Sequence, residues 1–289
     1  MSAAAGHWAA VEAAQAADLA ARVPFRIAGR EVGSVARAHL AALADHPAAL
    51  AIGDGAVDLT VGPAERDAAL AEINAALRAL GLVRAWRDET YAIVCPTSGE
   101  RLARTERAAS RFWGTLTFGA HANGWVAGAG GRPSHLWIAR RSSTKATDPG
   151  LFDNLIGGGV PDGQSPRETL VREGWEEAGL LPAHLAAARP GRVIGLRRDI
   201  PEGLQHEWLH AFDVELPPGL IPRNQDGEVQ EFRLMPVAEA LELAAAGEMT
   251  VDAALVTMDF AMRQRLLPDT VRDALAARSR GLWREVAWP

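Results

Sequence analysis

The sequence predicts an α/β protein in two parts, a small α+β accessory domain over residues 1–110 and a larger α/β domain over 111–289. Two observations carry this. Segments with strand-like alternation and segments with helical spacing follow one another along the whole chain. At 289 residues, with 48% hydrophobic and 23% charged residues, the chain is long and apolar enough to build two modest cores.

The first part opens on an Ala-rich stretch, 1–23, with no basic region before an apolar core. It is expected to be an amphipathic helix and not a secretion signal. Short strands are expected at 24–28, 56–61 and 90–95, bounded by Gly, Asp and Pro. Between them, Leu70, Ile73, Leu77 and Leu80 recur at helical spacing over 64–80, and Gly81 supplies the stop signal. This part carries no chemical motif. In the second part, strands are expected at 113–118, 125–127, 136–140, 193–196, 208–214 and 231–235, with closing helices at 236–246, 250–266 and 268–278. A long Gly-, Ser- and Asp-rich passage follows the third of these strands, and loops of that length are usually functional or disordered.

A net charge of −6 argues against nucleic acid as a main partner, because binding a phosphate backbone needs a basic footprint. A small phosphorylated substrate needs only a local cationic patch and a metal. The single cysteine, Cys95, lies in an apolar run and reads as a buried structural thiol. With no intramolecular disulfide to form, a reducing, cytoplasmic setting is expected. No stretch approaches the ~18 apolar residues of a membrane span, so no membrane partner is expected. Oligomeric state is not fixed by the sequence.

The strongest local signal is a helix at 166–178. Ser165 suits the N-cap, Pro166 the first helical position, Glu168 closes a Ser-x-x-Glu capping box, and Gly179 suits a left-handed C-terminal cap. On this helix Glu173, Glu176 and Glu177 share one face. Like charges at this spacing repel, and carboxylates in a last turn oppose the helix dipole. A solvated acidic face is one reading. A divalent cation that compensates the repulsion is the other, since Mg²⁺ takes carboxylate oxygens and shares them with substrate phosphates.

Gly158, then Arg172-Glu173, then Glu176-Glu177-Ala178-Gly179-Leu180 resembles the Nudix signature. Two positions depart from it: Gln164 stands where the signature has an early Glu, and Gly174 where it has an aliphatic residue. More widely, RRSSTK at 140–145, PGLFDNLIGGG at 149–159, DVELPPGLIP at 213–222 and DGEVQEF at 226–232 resemble the Nudix subfamily fused to fungal thiamine pyrophosphokinase. The likeness spans about 110–270 and is closest over 138–236. It implies a mixed-sheet α/β/α sandwich preceded by an accessory domain. It also implies hydrolysis of a small-molecule diphosphate, thiamine diphosphate or its damaged analogues, to the monophosphate, with Mg²⁺ as cofactor and Mn²⁺ able to substitute.

Roles follow from the resemblance. Glu173, Glu176 and Glu177 would bind the metal, and Glu168 would brace Arg172 in place of the missing Glu. Glu177 or Glu228 would take the proton of the attacking water. Backbone at Gly158 and Gly159 would approach the phosphates, because no side chain intervenes. Arg140, Arg141 and Lys145 either clamp the terminal phosphate or are ordinary surface cations. Phe152 and Trp208 either stack a heterocyclic ring or serve the core. His121 and His135 are expected to be structural or exposed.

Two other readings compete. His206-Glu207-Trp208-Leu209-His210 matches the zinc-peptidase pattern H-E-x-x-H, which needs both histidines on one helical face. The surrounding alternation is that of a strand, which would hold the histidines about 13 Å apart. A Nudix fold that binds without hydrolysing, as a sensor, is the second alternative.

Overall fold

The computed structural model describes residues 7–145 and 147–285. Helix α1 (Ala9–Ala13) is much shorter than the helix expected over 1–23, whose first six residues lie outside the described ones. It stops early because the next segment is engaged elsewhere. The amides of Arg197 and Asp199 donate to the carbonyls of Ala14 and Ala16, and the Asp18 carboxylate caps a separate turn by accepting from the Ala20 and Ala21 amides.

Strands β1 (Arg22–Ile27), β2 (Arg30–Ala36), β3 (Leu50–Ile52) and β4 (Val57–Leu59) form a sheet in the order β2-β1-β4-β3, with β1 and β4 parallel. Helix α2 (Arg66–Ala79) buries Leu70, Ile73 and Leu77 against Val23, Phe25 and Ile27 of β1. The hairpin of β5 (Thr90–Val94) and β6 (Arg101–Glu106) adds Ile93 and Ala103 to this core, and α3 (Ala109–Trp113) adds Phe112 and Trp113. The strand expected at 113–118 therefore begins late. Residues 109–113 are helical, Gly114 ends the helix in a left-handed conformation (φ 57°), and Trp113 is drawn into the first core.

The larger sheet contains β7 (Leu116–Ala127), β8 (Pro133–Arg141), β9 (Phe152–Asp153), β10 (Ile156–Gly159), β11 (Arg189–Ile200), β12 (Gly203–Glu215), β13 (Val229–Pro236) and β14 (Trp283–Arg284). Its main order is β13-β8-β7-β12-β11-β14, with β9 beside β8 and β10 beside β7. It is mixed, since β7 and β12 run parallel while the other pairs are antiparallel. The two strands expected at 113–118 and 125–127 are one continuous strand, β7.

Helices cover both faces of this sheet. On one, α4 (Pro166–Ala178) and α5 (Pro182–Leu185) bury Leu170, Leu180 and Leu185 with Ile156 and Val214. On the other, α6 (Val237–Ala246), α7 (Val251–Arg263) and α8 (Asp269–Arg278) pack with Leu136, Ile194 and Leu209. The result is an α/β/α sandwich preceded by a small α+β unit. Trp8, Ala10, Val11 and Ala14 are buried in the sandwich core, so the first helix of the chain packs beside its last third. Among the described residues no helix is long and apolar enough to cross a membrane.

Candidate active site

Helix α4 is fixed at both ends as its sequence requires. The Ser165 hydroxyl accepts from the Glu168 amide (3.2 Å), the Glu168 carboxylate accepts from the Ser165 amide (2.8 Å), and Gly179 takes the left-handed cap (φ 64°). Because Glu168 is spent on this capping box, it does not brace Arg172. Gln164 does so, its side-chain oxygen accepting from Arg172 Nε at 3.4 Å. Gly174 lets α4 lie close on its neighbours: a Cβ there would come within 2.6 Å of Leu185 and 3.1 Å of Ile156.

The glycine run of β10 positions three side chains. A Cβ at Gly157 would meet the His121 ring at 2.8 Å, one at Gly158 would overlap the Glu173 carboxyl, and one at Gly159 would overlap the Tyr91 hydroxyl. Successive residues of a strand face opposite sides. Glu173 therefore lies on the α4 side of β10, and His121 and Tyr91 lie on the other. All line one cavity of about 670 Å³ together with Glu176, Arg172, Lys145 and Glu228.

Burial dominates the electrostatics of the helix carboxylates. It pushes Glu173 up to about 7, the Glu176 charge adding to the rise while Arg172 offsets part of it. It pushes Glu177 up to about 8 against the pull of Lys145, with Glu173 again raising it. Glu177 accepts from the Gly157 amide (2.8 Å) and lies 3.4 Å from Lys145 Nζ. Lys145 also meets Glu228 at 2.6 Å, and Arg87 reaches the other oxygen of Glu228 at 3.3 Å. Burial works against the charged form of Glu228, yet the Lys145 and Arg87 charges hold it below the usual carboxylate range. Arg172 bridges Glu173 (2.8 Å) and Glu176 (2.9 Å).

The expected site residues divide in two. Glu173, Glu176, Glu228, Arg141, Arg172, Lys145, Gly158 and Gly159 line the cavity, and Glu177 sits behind it on the Gly157 amide. Arg141 is committed to Asp153 at 2.8 Å. Arg140, Phe152 and Trp208 are not among the lining residues. Arg140 pairs with Glu231 (3.5 Å), and together with Arg233 it covers the Phe152 ring, so both residues are tied up on the β8–β13 edge. Trp208 meets Phe118 edge-on across the parallel β7–β12 pair, on the face of β12 opposite Glu207. The substrate roles expected for these three are therefore not carried forward.

Several lining residues escaped the sequence reading. Arg87, Glu89, Tyr91, Arg107 and Arg111 come from the first unit, and His121, Gln205, Glu207 and Asp252 from the sandwich. Arg107 pairs with Glu89 at 2.8 Å and covers the Tyr91 ring, and Arg111 pairs with Glu207 at 2.9 Å. No local pattern marks them. Each reaches the cavity only through tertiary packing.

The zinc-peptidase pattern lies on strand β12, where His206 and His210 face away from Glu207, so the peptidase reading is set aside. The helix carboxylates are a different matter. They are hard oxygen donors whose burial is relieved by positive charge, which suits Mg²⁺ or Mn²⁺ in kind. Among the described residues they are not drawn into a group of three that would hold a metal; Arg172 and Lys145 supply the countercharge instead.

The chain is similar in sequence to known proteins. Residues 118–255 match the model described as "NUDIX domain", and residues 6–117 match "Domain of unknown function (DUF4743)". The chain is 36% identical over 216 residues to "Nudix hydrolase 20, chloroplastic" of Arabidopsis thaliana, covering 73% of this chain and 57% of that one. It is 34% identical over 206 residues to "Nudix hydrolase 24, chloroplastic" of the same organism, covering 71% and 56%. The chain thus spans little more than half the length of these relatives. A solved structure from Deinococcus radiodurans, DR0079, is similar at 21% identity and a TM-score of 0.47, over 60% of this chain and 99% of that one. The family match and the carboxylate helix coincide, and the chain carries a Nudix domain over residues 118–255.

Proposed function

We propose that this protein is a metal-dependent pyrophosphohydrolase that cleaves a diphosphate linkage in a small molecule. The observation that carries the reading is the pair Glu173, on the wall of the cavity at Gly158, and Glu177, buried just outside it on the Gly157 amide, in a site whose walls also bear Lys145, Arg87, Arg107 and Arg172. Carboxylates held above their ordinary range beside phosphate-binding cations are poised for a divalent metal and an anionic substrate together. When bound to Glu173, Glu176 and Glu177, Mg²⁺ (or Mn²⁺) would neutralise charge on the diphosphate and make a water more acidic.

The remaining work falls to this chain's own groups. The glycine strand exposes backbone to the phosphates at 158 and 159. Lys145 and Arg87 meet the anionic end, and Glu228, which bridges them, is displaced from that role as the substrate phosphate takes its place. Glu177 or Glu228 accepts the proton of the attacking water. For the substrate, the resemblance over 138–236 favours thiamine diphosphate or a damaged analogue, cleaved to the monophosphate.

The test is product release from a panel of thiamine diphosphate, its oxidised analogues, nucleoside diphosphate sugars and dinucleotides, with Mg²⁺, with EDTA and with Glu176→Gln. Turnover of one member, abolished by EDTA and reduced at least a hundredfold by the substitution, is the expected result. Tight binding without turnover across the panel would replace hydrolysis by the sensor reading.

A further inference from the structure

Behind the glycine strand, on the side away from α4, lies a polar group that the proposed hydrolysis does not use. Gln205 and Glu207 of β12, His121 of β7 and Asp252 at the start of α7 all line the cavity. Gln205, Glu207 and His121 are more than nine-tenths buried. A hydrogen-bond chain fixes their orientation. Arg198 Nε donates to the side-chain oxygen of Gln205 (2.7 Å), so the Gln205 amide nitrogen must point the other way, and it donates to Glu207 (3.0 Å) and to Asp252 (3.1 Å). Glu207 is balanced by Arg111. Among the described residues no ion pair within 4 Å reaches Asp252 and Gln205 is its only hydrogen-bond donor; burial and the Glu207 charge push its carboxyl up, while the His121, Arg198 and Arg111 charges pull the other way.

The tautomer of His121 follows from the same reasoning. Asn154 spends its amide nitrogen on Asn123 (3.1 Å) and Thr257 (3.2 Å), which leaves its oxygen to face His121 Nδ1 at 3.2 Å. That oxygen can only accept, so Nδ1 carries the proton and Nε2 presents a lone pair. Among the described residues no hydrogen bond satisfies Nε2, and the ring packs on the bare Cα of Gly157, where a Cβ would meet it at 2.8 Å. The cavity wall thus offers two acceptors, His121 Nε2 and the Asp252 carboxylate, with one protein donor, Gln205, between them. A ligand donor there adds a hydrogen bond that the protein does not supply.

We infer that His121 and Asp252, held in place by Asn154, Gln205 and Glu207, form a subsite for the hydrogen-bond-donating edge of a nitrogenous, cationic or amino-bearing heterocycle carried by the diphosphate substrate. This rests on the reading that the diphosphate lies at the Glu173 side of the glycine strand. It gives the two ends of the substrate different walls. The diphosphate lies on the Glu173 side of β10, and the N–H edge of the organic group meets His121 and Asp252 on the other.

The experiment uses the full chain and probes lacking one half of the substrate. Thiamine and adenosine carry donor-bearing heterocycles without phosphate, and inorganic pyrophosphate with Mg²⁺ carries no heterocycle. Titration calorimetry of the unmodified protein should show binding of at least one heterocycle, weakened at least tenfold in both Asp252→Asn and Asp252→Ser. Pyrophosphate affinity should stay within twofold, and melting temperatures should be unchanged. Absence of heterocycle binding, equal binding by the variants, or parallel loss of both probes would overturn the subsite. Failure of pyrophosphate to bind or be cleaved in the unmodified protein would instead count against the hydrolase reading, while the heterocycle titrations still decide this one.

Discussion

Gly158 and Glu173 share one space: the volume that any side chain at 158 would occupy is filled by the Glu173 carboxyl. The strand and α4 approach so closely that the backbone of one is the floor on which the Glu173 carboxyl of the other rests. Gly158→Ala must therefore push Glu173 aside or part the helix from the sheet, at a cost of about 1–3 kcal/mol. A fall in kcat/KM of at least a hundredfold is expected, with circular dichroism unchanged. An alanine variant with wild-type turnover would show that Glu173 does not work from this position.

On the proposed function, Glu177 links metal binding to stability. Its carboxyl is pushed up to about 8 in the folded protein against an ordinary value of 4.5, chiefly by burial. Between those values the folded state holds a proton that the unfolded state has lost, so stability falls as pH rises from 4.5 to 8. Glu177→Gln removes this dependence. In EDTA the melting temperature of the unmodified protein should fall by several degrees more than that of the variant between pH 5 and 8. Mg²⁺ should restore it at pH 8 in the unmodified protein only. Parallel pH profiles with and without the substitution would mean that Glu177 is not the buried titrating group.

The parts of this site that were legible in the sequence are those built from local rules. The caps at Ser165 and Gly179 and the shared face of Glu173, Glu176 and Glu177 are fixed within one helix, so spacing alone reveals them. The sequence shows strand β7 as two pieces, since its centre, Gly119 to Gly124, carries small and polar residues of low strand propensity. Pairing with β10 and β12 overrides that preference. The sequence also puts Trp113 on a strand, yet the first core takes it into a helical turn. Tyr91, His121 and Asp252 come from three separate elements, and Arg107 from the turn between β6 and α3. Nothing near any of them in sequence announces that packing will bring them to one cavity.

His210 should shape the acid limb of stability. It is 2% exposed, and burial lowers it to about 3 from an ordinary 6.5. A histidine depressed by folding contributes stability that is complete above 6.5 and is lost as pH falls toward 3, because the unfolded chain takes up the proton first. By pH 5 that loss is about 2 kcal/mol. His206, lowered to about 4 by burial and by the nearby Arg197 charge, adds to it in the same direction. Urea titrations from pH 7.5 to 5 should show a shallower loss for His210→Leu than for the unmodified protein, whatever the offset between the two at pH 7.5. An identical slope would place the acid sensitivity elsewhere.

Trp8 ties the start of the chain to the Nudix half. It is 1% exposed within the core formed by α6, α7 and the sheet, in the same cluster as Ala244 and Leu255. A fragment beginning at 118, where the Nudix match begins, would lose this buried indole along with Tyr91, Arg107 and Arg111 from the cavity wall. Deleting a buried tryptophan side chain costs about 3–5 kcal/mol, a large share of the stability of most domains. Trp8→Ala in the full chain should lower the free energy of unfolding, read from urea titration, by that much while leaving turnover of the folded protein within threefold. The fragment 118–289 should be both less stable and at least a hundredfold less active, and adding back residues 1–117 as a separate chain should restore only part of either. A fragment that melts and turns over like the whole protein would show that the first unit contributes neither packing nor chemistry to the site.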